Sequence, residues 1–273
     1  MPLPEQTQFL IDFNVHDVAS ALGMSIPEAA AAAMYAISAA DYDDYQSGID
    51  NILATTADAY RSAPGLQSLI GMIPAGGSVL CIGDSITTYR YSYARLLGHL
   101  FSPHGVSLIN RGFSGYTTTH ALEMTYTQFL ALQPDVVFIK YGVNDCKRFG
   151  GTGERTLVSA KDYQDNLRAI LRAFQQHTTA RIFLLTPTPV VEAVVNANPD
   201  IAAMRLIWRN DDLHHFGDLA LNVAHEIGVD AVDLRTVFGD PPDAAAYCPD
   251  GLHPNAHGQR RMLEYVLNSL ASF

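Results

Sequence analysis

From about residue 75 onward, short apolar runs rich in β-branched residues alternate with longer segments of helical spacing. The apolar runs lie at 78–82, 106–109, 135–141, 181–186 and 229–234. The segments 160–177 and 213–227 show the helical period. Unbroken apolar runs are typical of strands buried on both faces, and helices between such strands form the crossovers of a parallel sheet. We therefore predict a three-layer α/β/α fold with a five-stranded parallel sheet of flavodoxin-like, doubly wound topology.

The first 75 residues have a different pattern, because helical spacing is not interrupted by any strand signal. Ser25-Ile26-Pro27-Glu28 is typical of a capping box and precedes an alanine-rich helical segment. A second helical stretch is expected at about 43–62. We predict a helical N-terminal extension over 1–75 and an α/β domain over 76–273. The extension is expected to form a small packed layer, a lid, or a contact between copies of the chain.

Charge and hydropathy narrow the range of partners and compartments. The net charge is −11, from 17 basic and 28 acidic residues, which disfavours nucleic acids and anionic membrane surfaces as partners. No apolar run approaches the length that spans a bilayer, so integral membrane association is not expected. The N-terminal residues show no basic leader followed by an apolar core, and we expect a cytoplasmic protein. Its three cysteines cannot all pair, which favours a reduced chain.

Four short stretches with unusual polar residues lie after predicted strands or before the last predicted helix. They are GDSIT at 83–87, NRGFSGYTT at 110–118, YGVND at 141–145 and DGLHPNAHG at 250–258. The carboxyl ends of parallel strands meet at one edge of a sheet, and the start of a final helix can face the same edge. We therefore expect these four stretches to meet at one site.

The residue types in these stretches match the needs of acyl transfer. A serine hydroxyl such as that of Ser85 is a poor nucleophile unless a base takes its proton. His253 is the candidate base, and Asp250 can hold its imidazole in the correct tautomer. The backbone amides of Ser85 and Gly115 and the side-chain amide of Asn144 can stabilise an oxyanion. A glycine at 115 is expected because the backbone must approach the substrate without an intervening Cβ.

With these motifs, residues 76–273 resemble the SGNH, or GDSL, hydrolase family. Ile86 stands where the family's name has leucine, which is a small departure. The resemblance implies Ser85 as nucleophile, His253 and Asp250 as the rest of the triad, and Ser85, Gly115 and Asn144 as the oxyanion hole. It also implies a serine esterase or deacetylase that needs no metal or cofactor and acts on small-molecule or carbohydrate esters, with short acyl chains expected.

Several alternatives remain open at this stage. An acyltransferase, a thioesterase or a lysophospholipase would use the same triad. A metallophosphoesterase would need further carboxylate and histidine ligands, and a carbohydrate-binding module would have a dead site. His257 lies four residues after His253, but Pro254 places His253 just before the helix, so the two rings need not share a face. Ser114 lacks the final glycine of a G-x-S-x-G elbow, since Tyr116 stands there.

Three local features have two interpretations each. Tyr89, Tyr91 and Tyr93 either contact substrate or pack at the start of a helix. Cys146 and Cys248 are expected to lie near the site, either as free thiols in adjoining loops or as a disulfide. The glycine-rich segment 149–156 is no P-loop, and we expect it to flank the site as a mobile loop.

Overall fold

The computed structural model describes residues 3–13, 26–150 and 155–272. In chain order the strands are β1 (Ser78–Gly83), β2 (Ser107–Gly112), β3 (Val136–Lys140), β4 (Arg148–Phe149), β5 (Arg155–Thr156), β6 (Arg181–Leu185), β7 (Leu206–Ile207) and β8 (Asp230–Val232). A five-stranded parallel sheet has the order β2-β1-β3-β6-β8, and a small antiparallel sheet has the order β5-β4-β7. The predicted flavodoxin-like sheet is confirmed. Its strand order reverses around β1, where ligands of such folds bind.

The helices pack in two groups against this sheet. They are α1 (Glu5–Asp12), α2 (Glu28–Met34), α3 (Ala39–Asp58), α4 (Pro64–Gly71), α5 (Ser85–Thr88), α6 (Tyr93–Phe101), α7 (Thr118–Met124), α8 (Ala160–His177), α9 (Glu192–Val195), α10 (Pro199–Ala203), α11 (Asn210–Ile227) and α12 (Ala256–Leu270). One group joins α3, α4, α6 and α12, and the other joins α7, α8 and α11. Right-handed crossovers place the two groups on opposite faces of the sheet, which gives the predicted three layers.

Two neighbouring glycines allow α5 to lie close against the ends of β1 and β2. Gly83 and Gly112 are paired in register as the last residues of these strands. A Cβ on Gly83 would overlap the Thr87 hydroxyl, and one on Gly112 would overlap the backbone of Thr88. The chain can therefore turn sharply into α5 directly above the sheet edge.

The N-terminal helices follow the sequence pattern with a shifted boundary. The helix α2 ends at Met34, and Ala36 has a positive φ of 56°. The helix α3 begins at Ala39, where the Ser38 hydroxyl caps it by accepting a hydrogen bond from the Asp41 amide. The expectation of a second helix at 43–62 was therefore wrong by four residues at each end, because Ser38 starts the helix earlier. Ser25 of the expected capping box lies outside the described residues.

Part of the N-terminal region shares the main core. Ile49 and Leu53 of α3 and Leu66 and Leu69 of α4 are buried in the cluster that contains the sheet residues. A separate small cluster consists of Ile11, Ala31, Ala32 and Tyr42. The division of the chain at residue 75 stays a prediction.

In the described ranges, no helix combines the length and the apolar character that crossing a membrane requires.

A buried carboxyl group ties the loop after β3 to the start of α7. Oδ1 of Asp145 accepts hydrogen bonds from the Thr118 amide at 2.9 Å and the Thr118 hydroxyl at 2.5 Å. The second oxygen is buried without a hydrogen-bond partner among the described residues. Burial raises the pKa of Asp145 to about 7, although the two bonds from Thr118 lower it. The same loop carries Asn144.

Packing of α4 on α12 gives a stability prediction. A Cβ on Gly65 would overlap the backbone carbonyl of Leu267, so Gly65→Ala should lower the free energy of unfolding by about 3 kcal/mol. Gly48 lies inside α3 with open space around its Cα. Gly48→Ala is the matched control and should stabilise the protein by about 0.5–1 kcal/mol. Urea unfolding measures both, and equal stability of the two variants would contradict the packing.

Asp145 gives a prediction about pH. Since its pKa is raised in the folded state, its contribution to stability is fully present below pH 4 and is lost as the pH rises through about 7. The Asp145→Asn variant lacks this titration. The stability of the natural protein relative to the variant should therefore fall between pH 4 and pH 8. Urea unfolding across this range measures the difference, and a constant or rising difference would show that the buried carboxyl does not titrate as described.

Candidate active site

Ser85 opens the short helix α5 directly after β1, at the reversal of the strand order. It is buried, with 9% of its surface exposed. The residue that caps α5 is Asp84, whose Oδ1 accepts a hydrogen bond from the Ile86 amide at 2.9 Å. The Ser85 hydroxyl is therefore not used as a cap. This position leaves its side chain available for contacts outside the helix.

Asp84 also forms an ion pair beneath the loop that carries Ser85. Its Oδ2 lies 3.4 Å from Nζ of Lys140, the last residue of β3, and both side chains are buried. Burial holds the pKa of Lys140 below its ordinary value, although the charge of Asp84 and the hydrogen bond to it act in the opposite direction. Asp84 therefore braces the loop that carries Ser85. Lys140 was not identified from the sequence, although a lysine ending an otherwise apolar strand was a usable signal.

Ser85, His253 and Asp250 form a continuous chain of hydrogen bonds. Nε2 of His253 lies 2.8 Å from Oγ of Ser85. Nδ1 of the same ring lies 2.6 Å from Oδ2 of Asp250. The three residues come from the two ends of the α/β region, and the structure brings them together as expected.

The loop backbone fixes the carboxylate of Asp250. Its Oδ1 accepts hydrogen bonds from the amides of Leu252 at 2.9 Å and His253 at 3.0 Å. Burial raises the pKa of Asp250, but the hydrogen bond and the charge of His253, together with the two amides, outweigh burial and hold it below its ordinary value. A carboxylate that remains ionised keeps the proton on Nδ1 and leaves Nε2 as the acceptor for Ser85.

Gly115 and Asn144 come from the loops that follow β2 and β3. Gly115 has a φ of +82°, and a Cβ on it would meet no atom within 4 Å. The positive φ is a physical reason for glycine at this position, and the expectation that a Cβ would hinder approach to the substrate stays a prediction. Asn144 is 6% exposed, and its Nδ2 donates to the Tyr116 carbonyl at 3.2 Å. The amide has a second N–H that this bond does not use.

Two contacts hold the loop that carries Asn144. The ammonium of Lys147 donates to Oδ1 of Asn144 at 3.4 Å, which orients the amide group. Nε1 of Trp208 donates to the carbonyl of Val143 at 2.8 Å, and Trp208 is buried. Neither Lys147 nor Trp208 was identified from the sequence, since Trp208 lies 65 positions from Val143 and Lys147 lies just outside the motif at 141–145.

The N-terminal helix α1 covers one face of His253, a contact that sequence reasoning missed. The ring of Phe13 lies 4.2 Å from the imidazole, measured between centroids, and 4.6 Å from the ring of Tyr89. Tyr89 is buried in this stack, whereas Tyr93 is fully buried at the start of α6 with its hydroxyl 3.3 Å from that of Thr87. The structure therefore supports the packing interpretation for Tyr93.

The rival residues have other partners. The Ser114 hydroxyl donates to the Phe13 carbonyl at 2.8 Å. Nδ1 of His257 lies 3.1 Å from the Arg260 guanidinium. Over residues 3–13, 26–150 and 155–272, histidines, cysteines and carboxylates form no group of three that could hold a metal ion.

All three cysteines are free, so the alternative of a disulfide between Cys146 and Cys248 is wrong. The thiol of Cys146 is buried and donates to the Val143 carbonyl at 3.6 Å, while that of Cys248 lies 4.0 Å from the Tyr89 hydroxyl. The two thiols thus point to different loops. Residues 151–154, the centre of the segment expected to be a mobile flank, lie outside the described residues.

Comparison with known proteins identifies relatives among esterases and lipases. The sequence model of the GDSL-like Lipase/Acylhydrolase family matches residues 81–261. A GDSL esterase/lipase of Arabidopsis thaliana is 28% identical over 202 residues, which cover 71% of this chain and 78% of the relative. The Homo sapiens isoamyl acetate-hydrolyzing esterase 1 homolog is 28% identical over 198 residues, covering 69% and 79%.

A solved structure has the same fold. A catalytic mutant of an acetylxylan esterase from Geobacillus stearothermophilus superposes with a TM-score of 0.57 at 23% identity, covering 72% of this chain and 95% of that one. The resemblance found in the four motifs is thus confirmed over the same part of the chain. Because the family match spans well over half of its length, the chain belongs to the GDSL-like lipase/acylhydrolase family of carboxylic-ester hydrolases.

Proposed function

We propose that the protein is a serine esterase that cleaves short-chain carboxylic esters through an acyl-enzyme. Ser85 is the nucleophile, His253 the general base and acid, and Asp250 the residue that orients the imidazole. The observation that carries this assignment is the hydrogen-bond chain of 2.8 Å from Ser85 to His253 and 2.6 Å from His253 to Asp250. Both distances lie in the range in which a base takes the proton of a nucleophile.

The reaction then proceeds in two balanced steps. Oγ of Ser85 attacks the ester carbonyl while Nε2 of His253 takes its proton, and the tetrahedral intermediate expels the alcohol, which receives that proton. Water next attacks the acyl-enzyme with His253 again as base, which releases the acid and restores Ser85. Asp250 remains ionised throughout and stabilises the imidazolium that forms in each step.

The oxyanion of each intermediate needs donors that are held in place before the reaction. The backbone amides of Ser85 and Gly115 and the free N–H of Asn144 are suited to this role. Their loops are held by the Asp84–Lys140 pair, by the positive φ of Gly115 and by the Lys147 contact. Donors that are fixed in a buried site stabilise developing charge without reorganisation.

The acyl group is proposed to be short. The human relative is named for an acetate ester, and its name supports acetyl or similarly small acyl groups here. An acyltransferase would use the same residues, with an alcohol in place of water in the second step. The product formed in the presence of an alcohol acceptor distinguishes the two activities.

The triad assignment predicts the effect of Ser85→Ala. In this variant, hydrolysis of p-nitrophenyl acetate should be abolished. In the natural protein, a fluorophosphonate should label Ser85, and p-nitrophenyl acetate should be cleaved faster than p-nitrophenyl octanoate. Ser159→Ala is the matched control, since this hydroxyl caps α8 by accepting from the Asp162 amide at 3.1 Å. It should cost about 1 kcal/mol of stability without loss of activity.

Retained hydrolysis in Ser85→Ala, or a label on Ser114, would refute the assignment. Faster cleavage of the octanoate would refute the short-chain proposal and leave the triad in place. If an ester is the main product when an alcohol is added, the activity is acyl transfer and the hydrolase proposal is refuted.

The oxyanion assignment predicts a separate effect for Asn144→Ala. Its amide acts on charge that develops in the transition state, so kcat should fall by roughly 10²–10³-fold with little change in KM. Asn166→Ala is the control, because Asn166 donates to the Thr118 and Thr119 hydroxyls nearby. Its kcat should stay within about threefold of the natural value. A change confined to KM in Asn144→Ala would assign Asn144 to substrate binding instead.

A further inference from the structure

Phe13 is packed between the catalytic histidine and an aromatic wall. Its ring lies 4.2 Å from the imidazole of His253 at an interplanar angle of 45°, and it stacks on Tyr89 at 4.6 Å and 16°. Phe13 is 3% exposed. Phe9, one turn earlier in α1, lies 6.3 Å from the same imidazole and is 44% exposed. One aromatic side chain thus covers a face of His253, while its neighbour remains open to solvent.

The end of α1 is attached to the loops of the active site. The backbone amide of Arg90 donates to the Asp12 carbonyl at 2.7 Å, and the Ser114 hydroxyl donates to the Phe13 carbonyl at 2.8 Å. Tyr45 of α3 donates to the Asp12 carboxyl at 2.9 Å. The carbonyls at the end of a helix lack partners within the helix. Here Arg90, which follows Ser85 in the chain, and Ser114, which directly precedes Gly115, donate to two of these carbonyls. Phe13 therefore has a fixed position relative to the triad.

A groove of about 790 Å³ lies beside Phe13. Among its lining residues are Asp12, Phe13, Tyr89, Cys248 and Asp250. The ring of Phe13 therefore contacts the imidazole of His253 and also forms part of the wall of this groove.

We propose that Phe13 is a positioning residue of the esterase. Its ring holds the imidazole of His253 in the plane that reaches both Ser85 and Asp250, and it shields one face of the imidazole from the water of the groove. The proposal rests on the proposed function, since it assigns to His253 the role of the base. A displacement of about 1 Å at a catalytic group can cost about 100-fold in rate, so an uncovered imidazole should be a poorer base.

The experiment compares Phe13→Ala, Phe13→Leu and Phe9→Ala in the full chain. Phe13→Ala should lower kcat for p-nitrophenyl acetate by about 10- to 100-fold with KM within about twofold. Phe13→Leu fills part of the volume without a planar face, so its kcat should fall by about 3- to 10-fold. Phe9→Ala is the matched control from the same helix, and its kcat should stay within about threefold.

A spectroscopic readout separates positioning from simple packing. The proton shared by His253 and Asp250 should give a far-downfield proton resonance in the natural protein and in Phe9→Ala. This resonance should broaden or disappear through exchange with water in the Phe13 variants. Urea unfolding of each variant checks that the protein assayed is folded.

The outcomes are distinct. A folded Phe13→Ala with the kcat and the resonance of the natural protein would overturn the proposal. If Phe13→Ala does not fold, Phe13→Leu decides in the same way. An unchanged kcat with lowered stability would assign Phe13 to packing alone and likewise overturn it. Loss of the proposed function would instead appear as a natural protein that neither hydrolyses the ester nor is labelled at Ser85.

Discussion

The buried ion pair between Asp84 and Lys140 is the constraint on which the active-site edge of the sheet depends. Removing two charges from water is costly, and a buried charge without its partner would be costlier still. The pair therefore holds the end of β3 against the loop that follows β1. Because the other oxygen of Asp84 caps α5, the same carboxylate fixes the start of the helix that presents Ser85. Placement of Ser85 and neutralisation of a buried lysine are thus achieved by one side chain.

The remaining parts of the site are arranged around this anchor. The close approach of α5 to the sheet requires Gly83 and Gly112, which form the last register pair of β1 and β2. The loop after β3 is held by Asp145 through Thr118 and by Trp208 through Val143. His253 and Asp250 approach from the loop before α12. Each group is held by a contact outside its own loop, which is how surface loops can position a rigid site.

The sequence predicted most of the sheet and the site, and the physical reasons are local. Buried parallel strands are recognisable as unbroken apolar runs, and the motifs at their ends are short enough to be read directly. The contacts that support the site depend on the three-dimensional path of the chain. Nothing in the sequence around Phe13 indicates that its ring would meet His253, some 240 positions away. The break between α2 and α3 was placed too late in the sequence because Ala36, which has good helix propensity, adopts a positive φ there. Lys140 was an intermediate case. It lies within the predicted strand at 135–141, but its pairing with Asp84 was not predicted.

Because α1 is attached to the site, members of the family can differ in a way that their shared motifs do not reveal. The family match covers residues 81–261, whereas the aromatic ring over His253 lies at residue 13. Two members with the same four motifs can therefore differ in the surroundings of the histidine of the fourth motif, through a segment that comparison of the common region does not include. Transplanting the region around Ser85, Asn144 and His253 into another member would carry over the chemistry without this aromatic cover. The N-terminal helices are thus a place where a member of this family can differ from others while its four sequence motifs remain unchanged.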